Sequence, residues 1–213
     1  RFAELTGQTL CYDRLELPLD GFLPGIEAAR AGGLCGGNVT VPFKRDAFAW
    51  VQRRSARAEL AQACNTFWFT AQGVYGDNTD GVGLVRDITR NAGVALRGAR
   101  VLLVGAGGAG AGVLGPLLSE GPAELVLSNR TVARAQDVVL RHAAWAHQHG
   151  AQLKACGLMD VEGVFDVVIN ATGGGKKGQA ELKAPPLLAR PGQDGISTLD
   201  RLADRIDDFA EWN

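Results

Sequence analysis

Two patterns of apolar spacing meet near Arg90-Asn91-Ala92-Gly93. Ahead of that point, short apolar or alternating stretches predict strands at 12–17, 34–39, 65–70 and 74–75. Helical spacing is expected between them at 25–30, Lys44–Trp50 and 56–62. Beyond it, Arg100–Val104 is a continuous apolar strand, a glycine run follows at once, and helical spacing resumes through Val113, Leu114, Leu117 and Leu118. A strand at 124–127, a long helix over 132–147, a short strand at 152–155 and an apolar strand at 165–169 complete the second pattern. Strands that alternate with helices and are apolar throughout predict a parallel sheet covered on both faces, so 100–171 is expected to be a Rossmann-type unit. Pro116 is expected in the first turns of the helix after the glycine run, kinking rather than breaking it. Residues 173–192 are rich in Gly, Lys and Pro and read as loop. In the tail, Leu199, Leu202, Ile206 and Phe209 lie at helical spacing and predict a helix docked by one face. The expected architecture is α/β: an N-terminal α/β domain over 1–90, a Rossmann-type parallel-sheet domain over 91–192, and a C-terminal helix over 193–213 packing back on the body.

Composition narrows the partners. With 213 residues, 46% of them hydrophobic, the chain is long enough for packed cores. Its 22 basic and 23 acidic residues leave a net charge of -1, which supplies no electrostatic case for nucleic acid or an anionic membrane. The expected partners are small molecules, with the protein a monomer or homodimer. Cys11, Cys35, Cys64 and Cys156 show no C-x-x-C spacing and read as reduced, buried thiols, which suits a cytoplasmic location. No apolar run reaches the length of a membrane span. The chain opens on Arg1-Phe2-Ala3-Glu4 rather than on methionine, and an N-terminally incomplete protein is expected. His142, His147 and His149 lie in or just past a segment that reads as helix, and a solvated helix end accounts for them better than a metal site.

The glycine run Gly105-Ala106-Gly107-Gly108-Ala109-Gly110 follows a strand and opens a helix. The first glycine of G-x-G-x-x-G suits a tight turn, the second lets backbone approach a pyrophosphate, and the third lets helix pack on strand, while the helix N-terminus presents N–H groups to phosphate. About 20 residues on, where an NAD site carries an acid for the ribose hydroxyls, the chain has Ser128-Asn129-Arg130-Thr131 with Arg134 a turn further. Guanidinium groups there suit a 2′-phosphate and point to NADP(H). The alternative is that Thr131 caps the next helix and Arg130 is merely solvated.

In the first half, Gly36-Gly37-Asn38-Val39-Thr40-Val41-Pro42-Phe43-Lys44 places polar groups at a strand end and Lys44 at the start of a helix. A lysine beside the Asp80 carboxylate of Asn78-Thr79-Asp80-Gly81 would handle the proton while a nicotinamide handles the hydride. Lys44 as a solvated side chain and Asp80 as a turn or cap residue remain open on these residues alone.

Asn38-Val39-Thr40-Val41-Pro42-Phe43-Lys44, Ala63-Cys64-Asn65-Thr66, Gly76-Asp77-Asn78-Thr79-Asp80-Gly81, the glycine run, Asn129-Arg130-Thr131 and Asn170-Ala171-Thr172 occur in the order and at the spacing of shikimate dehydrogenases. The chain resembles that family over about residues 1–192. The resemblance implies NADPH-dependent reduction of 3-dehydroshikimate to shikimate in aromatic amino acid biosynthesis. By it, Lys44 is the proton donor and Asp80 its orienting partner, and Asn38, Thr40 and Asn65 contact substrate. Gly105, Ala106, Gly107, Gly108, Ala109, Gly110, Asn129, Arg130, Thr131, Arg134, Asn170, Ala171 and Thr172 are implied to hold NADP, with Gly195 approaching the nicotinamide. Family members begin with a strand and a carboxylate-binding serine pair upstream of the point where this chain starts. They also carry an Asp-x-x-Tyr segment that is absent where Pro191-Gly192 runs into Gln193-Asp194-Gly195, and a glutamine where Leu202 stands. A quinate/shikimate dehydrogenase variant is a close enzymatic alternative, though Asn129-Arg130 argues against an NAD-preferring form, and the departures motivate a further reading, a non-catalytic NADP-binding remnant. A folate-type dehydrogenase also pairs a lysine with a Rossmann half, but Asn78-Thr79-Asp80-Gly81 favours the shikimate side.

Overall fold

The computed structural model describes residues 2–172. The tail expected as a helix and the loop over 173–192 lie outside the described residues. In chain order the elements are α1 (Phe2–Thr6), α2 (Phe22–Ala31), β1 (Gly36–Asn38), α3 (Lys44–Trp50), β2 (Arg53–Arg54), α4 (Ala56–Ala61), β3 (Thr66–Thr70), β4 (Gly73–Asp77) and α5 (Asp80–Arg86). A π-helical turn over Asp87–Asn91 extends α5. The second half contains β5 (Arg100–Val104), α6 (Gly108–Ser119), β6 (Glu124–Ser128), α7 (Val132–Gln148), β7 (Gln152–Cys156) and β8 (Val167–Asn170).

The first sheet has the order β1-β3-β4-β2. β3 is antiparallel to both β1 and β4, and β2 runs parallel to β4. Its core gathers Phe22, Val51, Phe67 and Val74, with Trp50 packed edge-on against Phe22, Phe67 and Phe69. The strand expected at 12–17 does not form: these residues have no regular structure and no ladder partner among the described residues, and they are mostly exposed. A β-prone stretch becomes a strand only when a neighbour takes up its N–H and C=O groups. The strand expected at 34–39 is shortened to Gly36–Asn38. β2, two arginines long, carries no apolar signal and escaped the reading from spacing.

The second sheet, β7-β6-β5-β8, is parallel throughout, as the alternation of strand and helix predicts. Val101, Leu103, Leu125, Leu127 and Ile169 form its core with Leu114, Leu117 and Leu118 of α6. At one end of the sheet Arg100, Glu124 and Lys154 bridge three strands, with Arg100 Nε 2.6 Å from Glu124 Oε2. α6 runs unbroken through Pro116, which lies beyond the first turns expected for it.

α5 joins the halves. It starts at Asp80 beside the first sheet, while Val85 and Ile88 are buried in the second core. It crosses α6 closely at Gly81, where an added Cβ would stand 2.6 Å from Pro116 Cγ and 2.7 Å from the Gly112 carbonyl oxygen.

Two further expectations are corrected. His142 is fully buried on α7 rather than solvated, its Nδ1 2.9 Å from the Val138 carbonyl and its Nε2 without a partner among the described residues. Burial holds its pKa below the usual histidine value. Cys11 and Cys35 are exposed, Cys64 is buried and Cys156 half-buried, all four as free thiols.

Candidate active site

Lys44 and Asp80 are 36 positions apart in sequence, and the fold brings them together. Each is the first residue of its helix, and the Lys44 ammonium donates to Asp80 Oδ2 at 2.8 Å. The side chains are 18% and 28% exposed, enclosed enough to strengthen the attraction yet open to a ligand. A carboxylate at a helix N-terminus is favoured by the dipole and an ammonium is not, so Asp80 offsets the cost of placing Lys44 there.

Asn65, just before β3, holds the carboxylate from the other side. Its Nδ2 donates to Asp80 Oδ1 at 2.6 Å and to Thr79 Oγ1 at 3.0 Å, while its Oδ1 accepts the Thr79 backbone N–H at 2.9 Å. The backbone registers these pieces: Cys64 N–H donates to the Lys44 carbonyl and Val39 N–H to the Asn65 carbonyl. Asn38, at the end of β1, accepts from the Tyr12 hydroxyl at 2.7 Å and donates to Thr66 Oγ1 at 3.1 Å. The structure therefore brings Lys44, Asp80, Asn65 and Asn38 into one hydrogen-bonded set. Thr40 stands apart, exposed in the loop before α3, and its carbonyl accepts the Phe43 N–H.

Sequence reasoning missed what fixes this loop. The Asp77 carboxylate receives Arg57 Nε at 2.7 Å, the Arg57 Nη2 group, the Ser55 hydroxyl and the Asn78 backbone N–H. Burial, the largest single influence, pushes its pKa up, but the bonds from Arg57, Ser55 and Asn78 outweigh it and the carboxyl stays below its usual value. Asn78, fully buried, donates to the Ala63 carbonyl at 3.1 Å and lies against Gly112 of α6. The available signal was the density of Asn and Asp in Asp77-Asn78-Thr79-Asp80, which marks a turn stapled by its own side chains.

The glycine turn after β5 has the features a dinucleotide requires. Gly105 adopts φ +111°, and a Cβ there would stand 2.8 Å from the Ala171 carbonyl oxygen. A Cβ at Gly110 would collide with the Gly105 carbonyl, so the third glycine seats the helix on the turn. Gly107 and Gly108, by contrast, would have no atom within 4 Å of a Cβ, so the space above them is open. Ala106 and Ala109 complete the turn and first helical residues. Asn129 ties the turn to the end of β6, accepting the Ala106 N–H at 3.1 Å and donating to the Thr131 carbonyl at 2.9 Å. Thr131 occupies the N-cap position of α7 without a side-chain cap bond. Arg130 and Arg134 are exposed, with no ion-pair partner among the described residues. Thr172 donates to Asn170 Oδ1 through both Oγ1 and its N–H, and Ala171 N–H bonds the Val104 carbonyl, shaping the turn after β8 next to Gly105. Gly195 lies outside the described residues. No group of three or more metal-type ligands occurs among the described residues, and no helix there is long and apolar enough to cross a membrane.

A parallel sheet with this glycine turn, joined by α5 to a half carrying a lysine–aspartate pair, defines the class of two-part, dinucleotide-dependent dehydrogenases. Family models for the shikimate dehydrogenase substrate binding domain and for shikimate/quinate 5-dehydrogenase match residues 1–67 and 87–178. The chain is 51% identical over 208 residues to the NADP(+) shikimate dehydrogenase of Methylibium petroleiphilum, covering 95% of this chain and 69% of that protein. Among solved structures, an Ael1 enzyme from Pseudomonas putida superimposes with TM-score 0.72 at 42% identity, over 80% of this chain and 61% of that one. The shikimate 5-dehydrogenase of Thermus thermophilus, solved with NADP(H) and shikimate, gives TM-score 0.65 at 28% identity, over 80% of this chain and 60% of that one. This chain belongs to the shikimate dehydrogenase family. It spans about two thirds of the length of the curated relative and about six tenths of the two solved chains.

Proposed function

We propose that the protein reduces 3-dehydroshikimate to shikimate reversibly with NADP(H), as a step of aromatic amino acid biosynthesis in the cytoplasm. Residues 1–90 serve substrate and 91–192 serve cofactor. The observation that carries the reading is the Lys44–Asp80 pair, clamped through Asn65 and set at the start of the helix that packs against the helix of the glycine turn.

NADPH, when bound, supplies the hydride to the carbonyl carbon. As that carbon gains its C–H bond, the carbonyl oxygen gathers negative charge, and the Lys44 ammonium both stabilises it and passes it a proton, leaving a neutral amine that solvent reprotonates. The product alcohol thus takes the hydride on its carbon and the proton on its oxygen, and the reverse direction returns both. Asp80 keeps Lys44 aimed, and its Oδ1, held by Asn65, fixes the carboxylate plane. Asn38 and Thr40 line the approach for substrate hydroxyls. On the cofactor side, the open backbone over Gly107 and Gly108 receives the pyrophosphate, and Arg130 and Arg134 take the 2′-phosphate. The turn of Asn170, Ala171 and Thr172 closes beside Gly105, and Gly195 is assigned to the nicotinamide end.

The test is NADP⁺ reduction with shikimate, with quinate and NAD⁺ run alongside. Shikimate with NADP⁺ is the expected best pair. Faster turnover of quinate with NAD⁺ would replace this reading with the quinate one.

A further inference from the structure

Thr66, the first residue of β3, stands in register between Asn38 on β1 and Asp77 on β4. Its hydroxyl accepts from Asn38 Nδ2 at 3.1 Å and donates to Asn65 Oδ1 at 3.0 Å, and so links the two asparagines of the site. The direction of this link is determined. The Thr79 backbone N–H can only donate, and it points at one end of the Asn65 amide, which must therefore be the carbonyl. The other end of that amide must be the NH₂, because it faces the Asp80 carboxylate, which can only accept. With the Asn65 carbonyl turned towards Thr66, the single proton of the Thr66 hydroxyl is committed to it, and only lone pairs remain on the other side. Asn38 must then offer its NH₂ to Thr66, which turns its carbonyl towards the Tyr12 hydroxyl.

We propose that Thr66 is a positioning residue that sets which end of the Asn38 amide faces the substrate, transmitting to Asn38 the polarity fixed by Thr79 and Asp80. Any hydroxyl held at this point performs the task; an isosteric methyl does not. Removing the hydroxyl frees the Asn38 amide to turn over, whereas Asn65 keeps its bonds to Thr79 and Asp80, so the Lys44–Asp80 pair stays in place. The defect falls on substrate recognition and spares the chemical step. Tyr12 closes the outer end of the chain from an otherwise exposed position.

This inference rests on the proposed use of Asn38 as a substrate contact, and two readouts separate the two claims. In shikimate oxidation, Thr66→Val raises KM about tenfold with kcat within about twofold of the parent, the size expected for one misdirected hydrogen bond. Thr66→Ser restores the parental KM. In the unliganded protein, the side-chain NH₂ resonances of Asn38 and Asn65 by ¹⁵N NMR shift in Thr66→Val and stay near parental positions in Thr66→Ser. An unchanged KM in Thr66→Val, or a serine variant as impaired as the valine one, overturns the proposal while leaving the dehydrogenase reading intact. If the parent does not turn shikimate over, the dehydrogenase reading fails and the NMR comparison alone decides: unshifted Asn38 and Asn65 resonances in Thr66→Val refute the relay.

Discussion

Replacing Gly81 with alanine tests how tightly the two halves are joined. The new Cβ would meet Pro116 Cγ at 2.6 Å, the Gly112 carbonyl oxygen at 2.7 Å and Val113 Cα at 2.9 Å, whereas ordinary contact begins near 3.4 Å. Two of the three are backbone atoms and the third is a proline ring, so no flexible side chain can swing away. α5 and α6 must separate by roughly 0.5–1 Å, with an overpacking cost of about 1–3 kcal/mol, from which alanine's better helix propensity recovers up to about 1 kcal/mol. A net loss of about 1–2 kcal/mol corresponds to a Tm about 2–8 °C lower for a chain of this size. Because Asp80 is the neighbouring residue, the same displacement moves the carboxylate relative to the cofactor turn, and kcat/KM is expected to fall tenfold to a hundredfold. Gly83 on the same helix is the internal control: it is exposed, a Cβ there meets nothing within 4 Å, and Gly83→Ala should stabilise by about 0.4–1 kcal/mol. Differential scanning fluorimetry and steady-state kinetics on both variants make the comparison. Gly81→Ala with the parental Tm and kcat/KM, or Gly83→Ala destabilised to the same degree, would refute the close-crossing argument.

Arg57→Ala removes the main support of Asp77 and should cost about 1–2 kcal/mol in urea unfolding at neutral pH, the arginine side of the pair being well exposed. Since the folded state depresses the Asp77 pKa, its contribution is present above the unfolded carboxylate value of about 3.9 and is lost as pH falls through the lower folded value. In the variant, burial is less opposed and acid unfolding should begin at a higher pH; coincident acid limbs would contradict this. Arg130→Asp, read by fluorescence titration with NADPH and NADH, should weaken NADPH binding at least tenfold while leaving NADH nearly unchanged, and equal losses for both cofactors would remove Arg130 from the 2′-phosphate site.

The parallel sheet was legible because its central strands, β5 and β6, are buried on both faces, and continuous apolar runs such as Arg100–Val104 announce themselves. The glycine turn was legible for a related reason: Gly105 and Gly110 answer steric demands that no other residue meets, and such demands leave a fixed spacing. Lys44 and Asp80 were ambiguous as isolated residues and were singled out through the family resemblance, since nothing local tells a solvated lysine from one 2.8 Å from a carboxylate. The strand expected at 12–17 failed because strand formation depends on a neighbour rather than on propensity. His142 was misjudged because a burial face on α7 is set by what packs over it, here the α6 region around Gly115, where a Cβ would come within 3.9 Å of the imidazole. The Asp77 and Thr66 connections were invisible for the same reason: hydrogen-bond partners 20 to 28 residues apart follow from sheet register, which the sequence encodes only through the assembled fold.

The most direct test of the account is the rate of shikimate-dependent NADP⁺ reduction, followed by nicotinamide absorbance, for the parent chain and Lys44→Ala, with NADPH binding measured on both. The expected result is turnover by the parent, a loss of at least a hundredfold in the variant, of the order general acid–base catalysis contributes, and matching NADPH affinities. Undiminished turnover in Lys44→Ala, or a parent that binds NADPH and turns nothing over, would contradict it.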